Sequence, residues 1–170
     1  MRPVLTTIAL IAALVQSPAP SPAPCSSAEY HQFDFWIGEW DVFNPAGARA
    51  GTNRIEREFD GCVLQEHWVG AGGGVGSSFN TFSRATGQWH QTWVDNQGSL
   101  LLLDGAFADG AMTLSGRITR ANGSVVMHRI RWSLINGDTN RVRQLWQSST
   151  DDGKTWTVVF DGTYVRKGSR

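Results

Sequence analysis

Asp-Gly and Asn-Gly dipeptides punctuate this chain and constrain its fold more than any other feature. Both dipeptides favour the positive backbone φ angles that tight hairpin turns require. Between them, apolar and polar residues alternate with the period of two that is typical of β-strands. The dipeptides are Asp60-Gly61, Asp104-Gly105, Asp109-Gly110, Asn122-Gly123, Asn136-Gly137 and Asp152-Gly153. The sequence therefore predicts an all-β chain of short strands joined by tight turns.

The alternating segments predict about ten strands of similar length. Short connections favour a meander, in which strands that are neighbours in sequence also pair in space. Closure of that meander into an antiparallel barrel leaves no edge strand exposed to other chains. The predicted strands span residues 37–43, 52–59, 63–70, 77–83, 88–95, 100–107, 111–120, 125–134, 141–148 and 155–166.

The N-terminal segment has the pattern of a secretion signal. Arg2 precedes an uncharged apolar stretch over residues 4–15, which is too short to span a bilayer comfortably. Prolines at alternate positions from Pro18 to Pro24 then end any helix. We predict a signal peptide and Pro/Ala-rich linker over residues 1–24 and one barrel domain over residues 25–170. The predicted location is secreted or periplasmic, and Pro24 disfavours lipoprotein anchoring at Cys25.

Cysteine content and charge limit the partners of the chain. Cys25 and Cys62 can form one disulfide in an oxidising compartment, and the alternative is two unpaired thiols. Lys and Arg total 15, as do Asp and Glu, and no basic run interrupts this balance, so no nucleic-acid partner is predicted. His31, His67 and His90 lack metal-ligand spacing, as does His128, so we predict no metal site and no cofactor.

Three strands repeat a polar residue two positions before a tryptophan. The pairs are Glu66-x-Trp68, Gln91-x-Trp93 and Gln144-x-Trp146, and residues two apart in a strand share a face. If these faces point inward, they form a cavity with aromatic walls and fixed polar groups, as in small-molecule sites. The alternative is a filled core with a satisfied polar layer. A buried Glu66 needs partners, and Arg129, Arg131 or Arg143 are candidates.

Alternation also assigns inward faces in two further segments. In segment 155–166 it places Trp156, Val158, Phe160 and Tyr164 inward, and in segment 125–134 it places His128 and Trp132 inward. The candidate ligand-binding residues are Trp40, Glu66, Trp68, Gln91, Trp93, His128, Trp132, Gln144, Trp146, Phe160 and Tyr164.

Two turn motifs carry structural rather than chemical information. The glycine-rich segment 70–76 has no G-K-[ST] sequence and opens no helix, so it predicts a connector or a flexible lid at the barrel mouth. The segment from Ser149 to Trp156 matches the Asp-box pattern S-x-D-x-G-x-T-W. A propeller needs several such blades, and this chain has one box, which predicts a hairpin staple.

The segment Phe33-Asp-Phe-Trp-Ile-Gly-Glu-Trp-Asp-Val42 carries a family resemblance. Its Gly38-x-Trp40 core resembles the signature of the lipocalin and fatty-acid-binding superfamily of calycin barrels, in which the Trp closes the barrel end. Together with the Asp box, Glu66-x-Trp68, the stretch 89–95 and Phe160-Asp-Gly-x-Tyr164, the chain resembles uncharacterised secreted bacterial proteins with lipocalin-like barrels over residues 31–167. The resemblance implies fold and compartment, and that family carries no established activity.

These features favour a secreted or periplasmic barrel that binds a small apolar or aromatic molecule, with no defined catalysis. One alternative is a barrel cyclase, isomerase or hydrolase that uses Glu66 as acid or base. Another is a structural envelope protein without a small ligand. Haem-binding lipocalin-like barrels use a single axial histidine, and His128 is the candidate for that less favoured role. No catalytic residue is assigned, since the chain lacks G-x-S-x-G and H-E-x-x-H, and no oligomeric state is predicted.

Overall fold

The computed structural model describes residues 23–169, so residues 1–22 of the signal peptide and linker predicted over residues 1–24 lie outside the described residues. Ten antiparallel strands form a closed meander barrel, which confirms the predicted fold class. Every predicted strand is present, and no boundary differs by more than three residues. The strands are β1 Gly38–Phe43, β2 Arg49–Glu58, β3 Val63–Gly70, β4 Val75–Ser83, β5 Gln88–Asp95, β6 Leu100–Ala108, β7 Ala111–Thr119, β8 Val125–Ile135, β9 Asp138–Ser149 and β10 Thr157–Arg166.

Pairing between the first and last strands closes the barrel. β1 pairs with β10 from Trp40 opposite Arg166 to Phe43 opposite Thr163, and it pairs with β2 on its other side. Each strand therefore has two neighbours, and the ladder hydrogen bonds leave no open edge. Because sequence neighbours pair throughout, the connecting turns alternate between the two ends of the barrel.

One of the predicted turn signals is wrong. Asp104-Gly105 lies inside β6, where Gly105 is opposite Leu114 of β7. A Cβ atom at Gly105 would lie 2.0 Å from the carbonyl oxygen of Thr113, so the glycine permits a close approach of two strands instead of a turn. The dipeptide is consistent with either role, and only the strand pairing distinguishes them.

The segment over residues 25–36, which we call the plug, fills one end of the barrel. It contains two short 3₁₀ helices, Ala28–His31 and Asp34–Trp36. Phe33 and Trp36 are fully buried, and their rings stack with centroids 4.8 Å apart. Both rings contact Trp132, and Phe33 also meets the edge of Trp89. The plug therefore forms an aromatic core that closes this end against water.

Covalent and polar contacts hold the plug in place. A disulfide joins Cys25 to Cys62, immediately after the 3₁₀ helix Phe59–Gly61 that connects β2 and β3. Arg57 forms an ion pair with Asp34 and donates a 2.8 Å hydrogen bond to the carbonyl oxygen of Gly61. These contacts attach the plug to residues of β2 and of the β2–β3 connection that are distant from it in sequence. The plug is therefore part of the folded domain.

The opposite end of the barrel carries both turn motifs. The glycine-rich segment forms the connection between β3 and β4, held by hydrogen bonds from the amides of Gly70 and Gly73 to the carbonyls of Gly74 and Gly70. In the Asp box, Asp151 accepts bonds from the Ser149 hydroxyl and from the amide and hydroxyl of Thr155. These contacts are local, so the box closes the β9–β10 hairpin.

The inward face predicted for Trp156 and Val158 is wrong. The register between β10 and β9 shifts between Val158 and Phe160, so one extra residue occupies β10 at that point. Such a bulge reverses the faces of the residues before it. Val158 is exposed, and Trp156 lies under the guanidinium of Arg129, which is 3.9 Å from its ring centroid. Phe160 and Tyr164, beyond the bulge, do point inward.

Candidate functional site

A cavity of about 190 Å³ lies inside the barrel, between the plugged end and the end that carries the Asp box. Val159 is at its rim and is 48% exposed, so the cavity communicates with solvent. Its lining combines aromatic and aliphatic side chains with four groups that can form hydrogen bonds. The lining residues are Glu66, Trp68, Gln91, Trp93, Leu101, Ile130, Gln144, Trp146, Val159, Phe160 and Tyr164.

The part of the cavity nearest the Asp-box end of the barrel has aromatic walls. Trp68 and Phe160 meet edge to face, with ring centroids 5.7 Å apart and planes at 81°. The indole N–H of Trp146 donates to Nδ1 of His128 at 3.0 Å, and that of Trp93 donates to Oδ2 of Asp95 at 3.3 Å. Because these two N–H groups already have acceptors, both indoles offer the cavity their ring surfaces.

Glycines next to these rings make room for them. A Cβ atom at Gly76 would lie 2.3 Å from Cζ2 of Trp93, and one at Gly51 would lie 2.8 Å from Cη2 of Trp68. Both glycines lie on strands that neighbour the tryptophan strands, so the rings lie across bare backbone. Strand glycines of this kind mark close approach of another group. Gly51 and Gly76 therefore help to shape the cavity, although they do not line it.

Glu66 lies at the polar floor of the cavity and is only 4% exposed. Asn53 Nδ2 donates to one carboxylate oxygen at 2.6 Å, and the Ser78 hydroxyl donates to the other at 2.6 Å. In the described residues no lysine, arginine or histidine forms an ion pair with Glu66. The strand register explains this arrangement, because Asn53 and Ser78 lie on the two strands that flank β3.

The predicted arginine partners of Glu66 are wrong. Arg143 forms a two-bond ion pair with Asp161, at 2.8 and 2.7 Å. Arg129 donates to the side chain of Gln147, and Arg131 donates to Ser133. All three arginines occupy odd positions of β8 and β9 whose side chains face outward, opposite the inward-facing even positions. The period of two that places Glu66 inside therefore excludes these arginines from its surroundings.

Neutral side chains extend the polar floor to both sides of Glu66. Asn53 Nδ2 also donates to the hydroxyl of Tyr164 at 3.2 Å, and that hydroxyl donates to Oε1 of Gln144. On the other side Ser78 Oγ accepts from Asn80 at 2.9 Å and from Gln91 at 3.4 Å. This network fixes the position of each cavity-facing polar group before any ligand binds.

Burial changes the acid–base behaviour of the floor. Loss of hydration raises the pKa of Glu66 to about 7, and the bonds from Ser78 and Asn53 offset part of that rise. Burial, together with the negative charge of Glu66, raises the pKa of Tyr164 well above its usual value. At neutral pH Glu66 therefore exists in both protonation states, and Tyr164 is a neutral phenol.

Eight of the candidate ligand-binding residues line the cavity, and three lie elsewhere. Trp40 is fully buried, its indole N–H donates to the carbonyl of Trp36 at 2.9 Å, and Arg166 stacks 4.2 Å from its ring centroid. Trp132 packs against the plug, and His128 supports Trp146 from the side. Contact of the eight lining residues with a ligand stays a prediction.

The sequence analysis missed several residues that contribute to the site. Leu101, Ile130 and Val159 complete the cavity lining, and Asn53 and Ser78 hold Glu66. Alternation in β2 carried a usable signal, because Asn53 lies on a strand face between the buried Gly51 and Ile55. A polar residue on an otherwise buried strand face indicates an internal partner.

Neither a group of metal-binding side chains nor a membrane-spanning helix is present in the part of the chain that the structure describes. Within residues 23–169, no three His, Cys, Asp or Glu side chains are placed to hold a metal ion. His90 faces outward, where it pairs with Asp104 at 2.8 Å and with Thr92 at 2.9 Å. Helices in this range are all too short or too polar to cross a bilayer.

Comparison with known proteins adds no assignment. No family model matches the chain, and no curated protein matches it at a significant level of sequence similarity.

Proposed function

We propose that this chain is a secreted or periplasmic barrel that binds a small molecule with an apolar or aromatic body. The observation that carries the proposal is a solvent-connected cavity with aromatic walls above a preorganised polar floor. Small-molecule sites combine a mostly apolar lining with a few fixed polar groups that orient the ligand. Trp68, Trp93 and Phe160 supply the apolar surface, and Glu66 and Gln91 supply polar contacts.

The size of the cavity limits the ligand to about one or two rings. An apolar protein cavity of about 150 Å³ is large enough for benzene. A volume of about 190 Å³, open at the rim, accommodates a monocyclic or small bicyclic compound and leaves part of a longer molecule in solvent. Long fatty acids and intact haem are too large to be enclosed in this space.

The proposed compartment and kinship draw on different observations. The apolar N-terminal stretch and the Cys25–Cys62 disulfide support export, since disulfides persist mainly in oxidising compartments. The closed ten-strand meander supports kinship with the lipocalin-like barrels. Trp40 adds to this, because it packs against the plug as that resemblance implies.

Native mass spectrometry of the mature protein, purified from the medium or periplasm of its own host, tests the proposal. We expect an additional mass that disappears on denaturation. Val159→Trp narrows the cavity mouth and should reduce that occupancy, and Val158→Trp is the matched control. Val158 is 53% exposed, comparable with Val159, but it lies on the outer face. Bare protein mass, together with unchanged melting across an aromatic ligand panel, contradicts the proposal.

A second candidate, acid–base catalysis at Glu66, is favoured by one observation. A buried carboxyl with a pKa of about 7 that faces a cavity matches a general acid or base that operates near neutral pH. Glu66→Gln should then lower turnover of host metabolites by about 10²-fold or more while the protein stays folded. Equal product formation by both proteins, followed by mass spectrometry, argues against catalysis by this residue.

A further inference from the structure

We propose that the ligand of this cavity is an organic cation, whose ammonium group contacts the Glu66 carboxylate and whose apolar part lies among the aromatic rings. This inference rests on the proposed ligand-binding function and names the chemical class of the ligand. It is carried by the hydrogen bonds of Glu66, by the absence of a compensating charge among the described residues, and by the ring surfaces above it.

The hydrogen bonds around Glu66 match an ionised carboxylate. Asn53 donates to one oxygen and Ser78 donates to the other. The Ser78 hydroxyl accepts bonds from Asn80 and Gln91, so its single hydrogen is committed to Glu66. Both hydrogen bonds of the carboxyl group are therefore accepted from donors. The floor is therefore arranged around a negative charge.

That negative charge has no counter-charge in the described structure. Both partners of Glu66 are neutral, and Arg129, Arg131 and Arg143 lie on the outer face of the barrel. A buried ion without a partner is unfavourable, and a cation brought next to it compensates the loss of hydration. Because Glu66 lines the cavity, a ligand is the group that can supply this cation.

The aromatic walls favour the same ligand class. The N–H groups of Trp93 and Trp146 are already bonded to Asp95 and His128, so the rings offer their π surfaces and not their donors. Aromatic faces attract organic cations, most strongly where water is excluded. The Glu66 carboxylate would instead repel an anionic ligand. A neutral ligand would leave the charge of that carboxylate uncompensated.

Few other titratable groups bear on this site. From β10, Tyr164 faces Glu66 as a neutral phenol, and β2, β4, β5 and β9 contribute the amides and the hydroxyl already described. His128 on β8 lies behind Trp146, and burial lowers its pKa. Arg166 on β10 is committed to the carbonyls of Ile37 and Thr139 at the plugged end. No charged partner of Glu66 therefore competes with the ligand.

Affinity for a permanent cation should increase with pH, because the cation binds the ionised form of Glu66. With a pKa of about 7 in the empty cavity, the ionised fraction is about thirtyfold smaller at pH 5.5 than at pH 8.5. Binding below pH 7 should release a proton. Protonation of His128 at low pH would act in the same direction. The Glu66→Gln variant keeps His128, so a pH dependence that persists in this variant belongs to His128.

The test compares phenyltrimethylammonium with tert-butylbenzene, a neutral compound of the same shape. Binding to the folded protein is followed by tryptophan fluorescence and calorimetry. At pH 8.5 we expect the cation to bind at least about tenfold more tightly than the neutral compound. At pH 5.5 we expect wild-type protein to bind the cation up to about thirtyfold more weakly than at pH 8.5, so that the preference is lost. The Glu66→Gln variant should lack the preference at every pH. Glu39→Gln, at an exposed position, should keep the wild-type preference at pH 8.5.

The possible outcomes separate this inference from the proposed function. Equal binding of the two compounds, or a preference that Glu66→Gln leaves unchanged, overturns the cation inference and leaves the ligand-binding cavity intact. Absence of binding by both compounds overturns the cation inference, and together with a bare native mass and unchanged melting across the ligand panel it also contradicts the proposed function. The pH dependence is measured on the wild-type protein, so the inference stays falsifiable even if Glu66→Gln fails to fold.

Discussion

Replacing Glu66 with Gln removes a buried carboxyl while nearly preserving its shape, and it should change how stability depends on pH. In the folded protein, burial raises the pKa of Glu66 from 4.5 to about 7. Between these values the folded state holds a proton that the unfolded state has lost, so the free energy of unfolding falls as pH rises. The contribution is complete below about pH 4.5 and is lost as pH increases through 7.

The magnitude follows from the two pKa values. The span from 4.5 to about 7 corresponds to about 3 kcal/mol, at about 1.4 kcal/mol for each tenfold change in proton affinity. Between pH 5 and pH 8.5, wild-type protein should therefore lose about 2–3 kcal/mol through this group. A glutamine side chain cannot ionise, so the Glu66→Gln variant should lack this loss. The melting temperature of the variant minus that of wild type should therefore be about 5–10 °C greater at pH 8.5 than at pH 5.

Urea denaturation at pH 5, 6, 7 and 8.5, followed by tryptophan fluorescence, measures the effect. The quantity compared is the difference between variant and wild type at each pH, because the remaining titrating groups cancel in it. His128 is such a group, since burial lowers its pKa and it favours folding as pH rises. Glu39→Gln is the control at an exposed site. If Glu66→Gln and wild type show the same pH dependence, the reasoning about Glu66 is refuted.

Three further predictions concern the closed end and the cavity wall. Reduction of the Cys25–Cys62 disulfide, which links residues 37 apart, should lower the free energy of unfolding by up to about 4 kcal/mol, and a Cys25→Ser/Cys62→Ser variant that melts like wild type contradicts this. Phe33→Ala empties a fully buried position of the plug and should destabilise the protein by about 3–5 kcal/mol in urea titrations, whereas a loss below about 1 kcal/mol would show that the barrel end collapses around the gap. Gly76→Ala places a Cβ 2.3 Å from Trp93 and should lower stability by about 1–3 kcal/mol, with a changed near-ultraviolet circular dichroism spectrum; an unchanged spectrum would mean that the indole does not lie across this glycine.

Local pattern was sufficient for the strands and for much of the cavity lining. The period of two in Glu66-x-Trp68, Gln91-x-Trp93 and Gln144-x-Trp146 placed the two members of each pair on one strand face, and in the structure all six side chains line one cavity. This worked because side-chain direction in a regular strand depends only on position parity. The same rule failed in β10, where the bulge at Val158 reverses the parity of everything before it.

Tertiary structure decided which side chains meet. Asn53, Ser78 and Tyr164 come from three different strands, and only the register of the closed barrel brings them together around Glu66. The plug likewise closes the barrel end through a contact between Phe33 and Trp132, which lies far from it in sequence. The sequence by itself determined the all-β class, the approximate strand positions and which residues share a face in the regular strands, since these depend on local backbone geometry. The cavity, the uncompensated charge of Glu66 and the raised pKa depend on burial and on long-range pairing, which only the folded barrel creates.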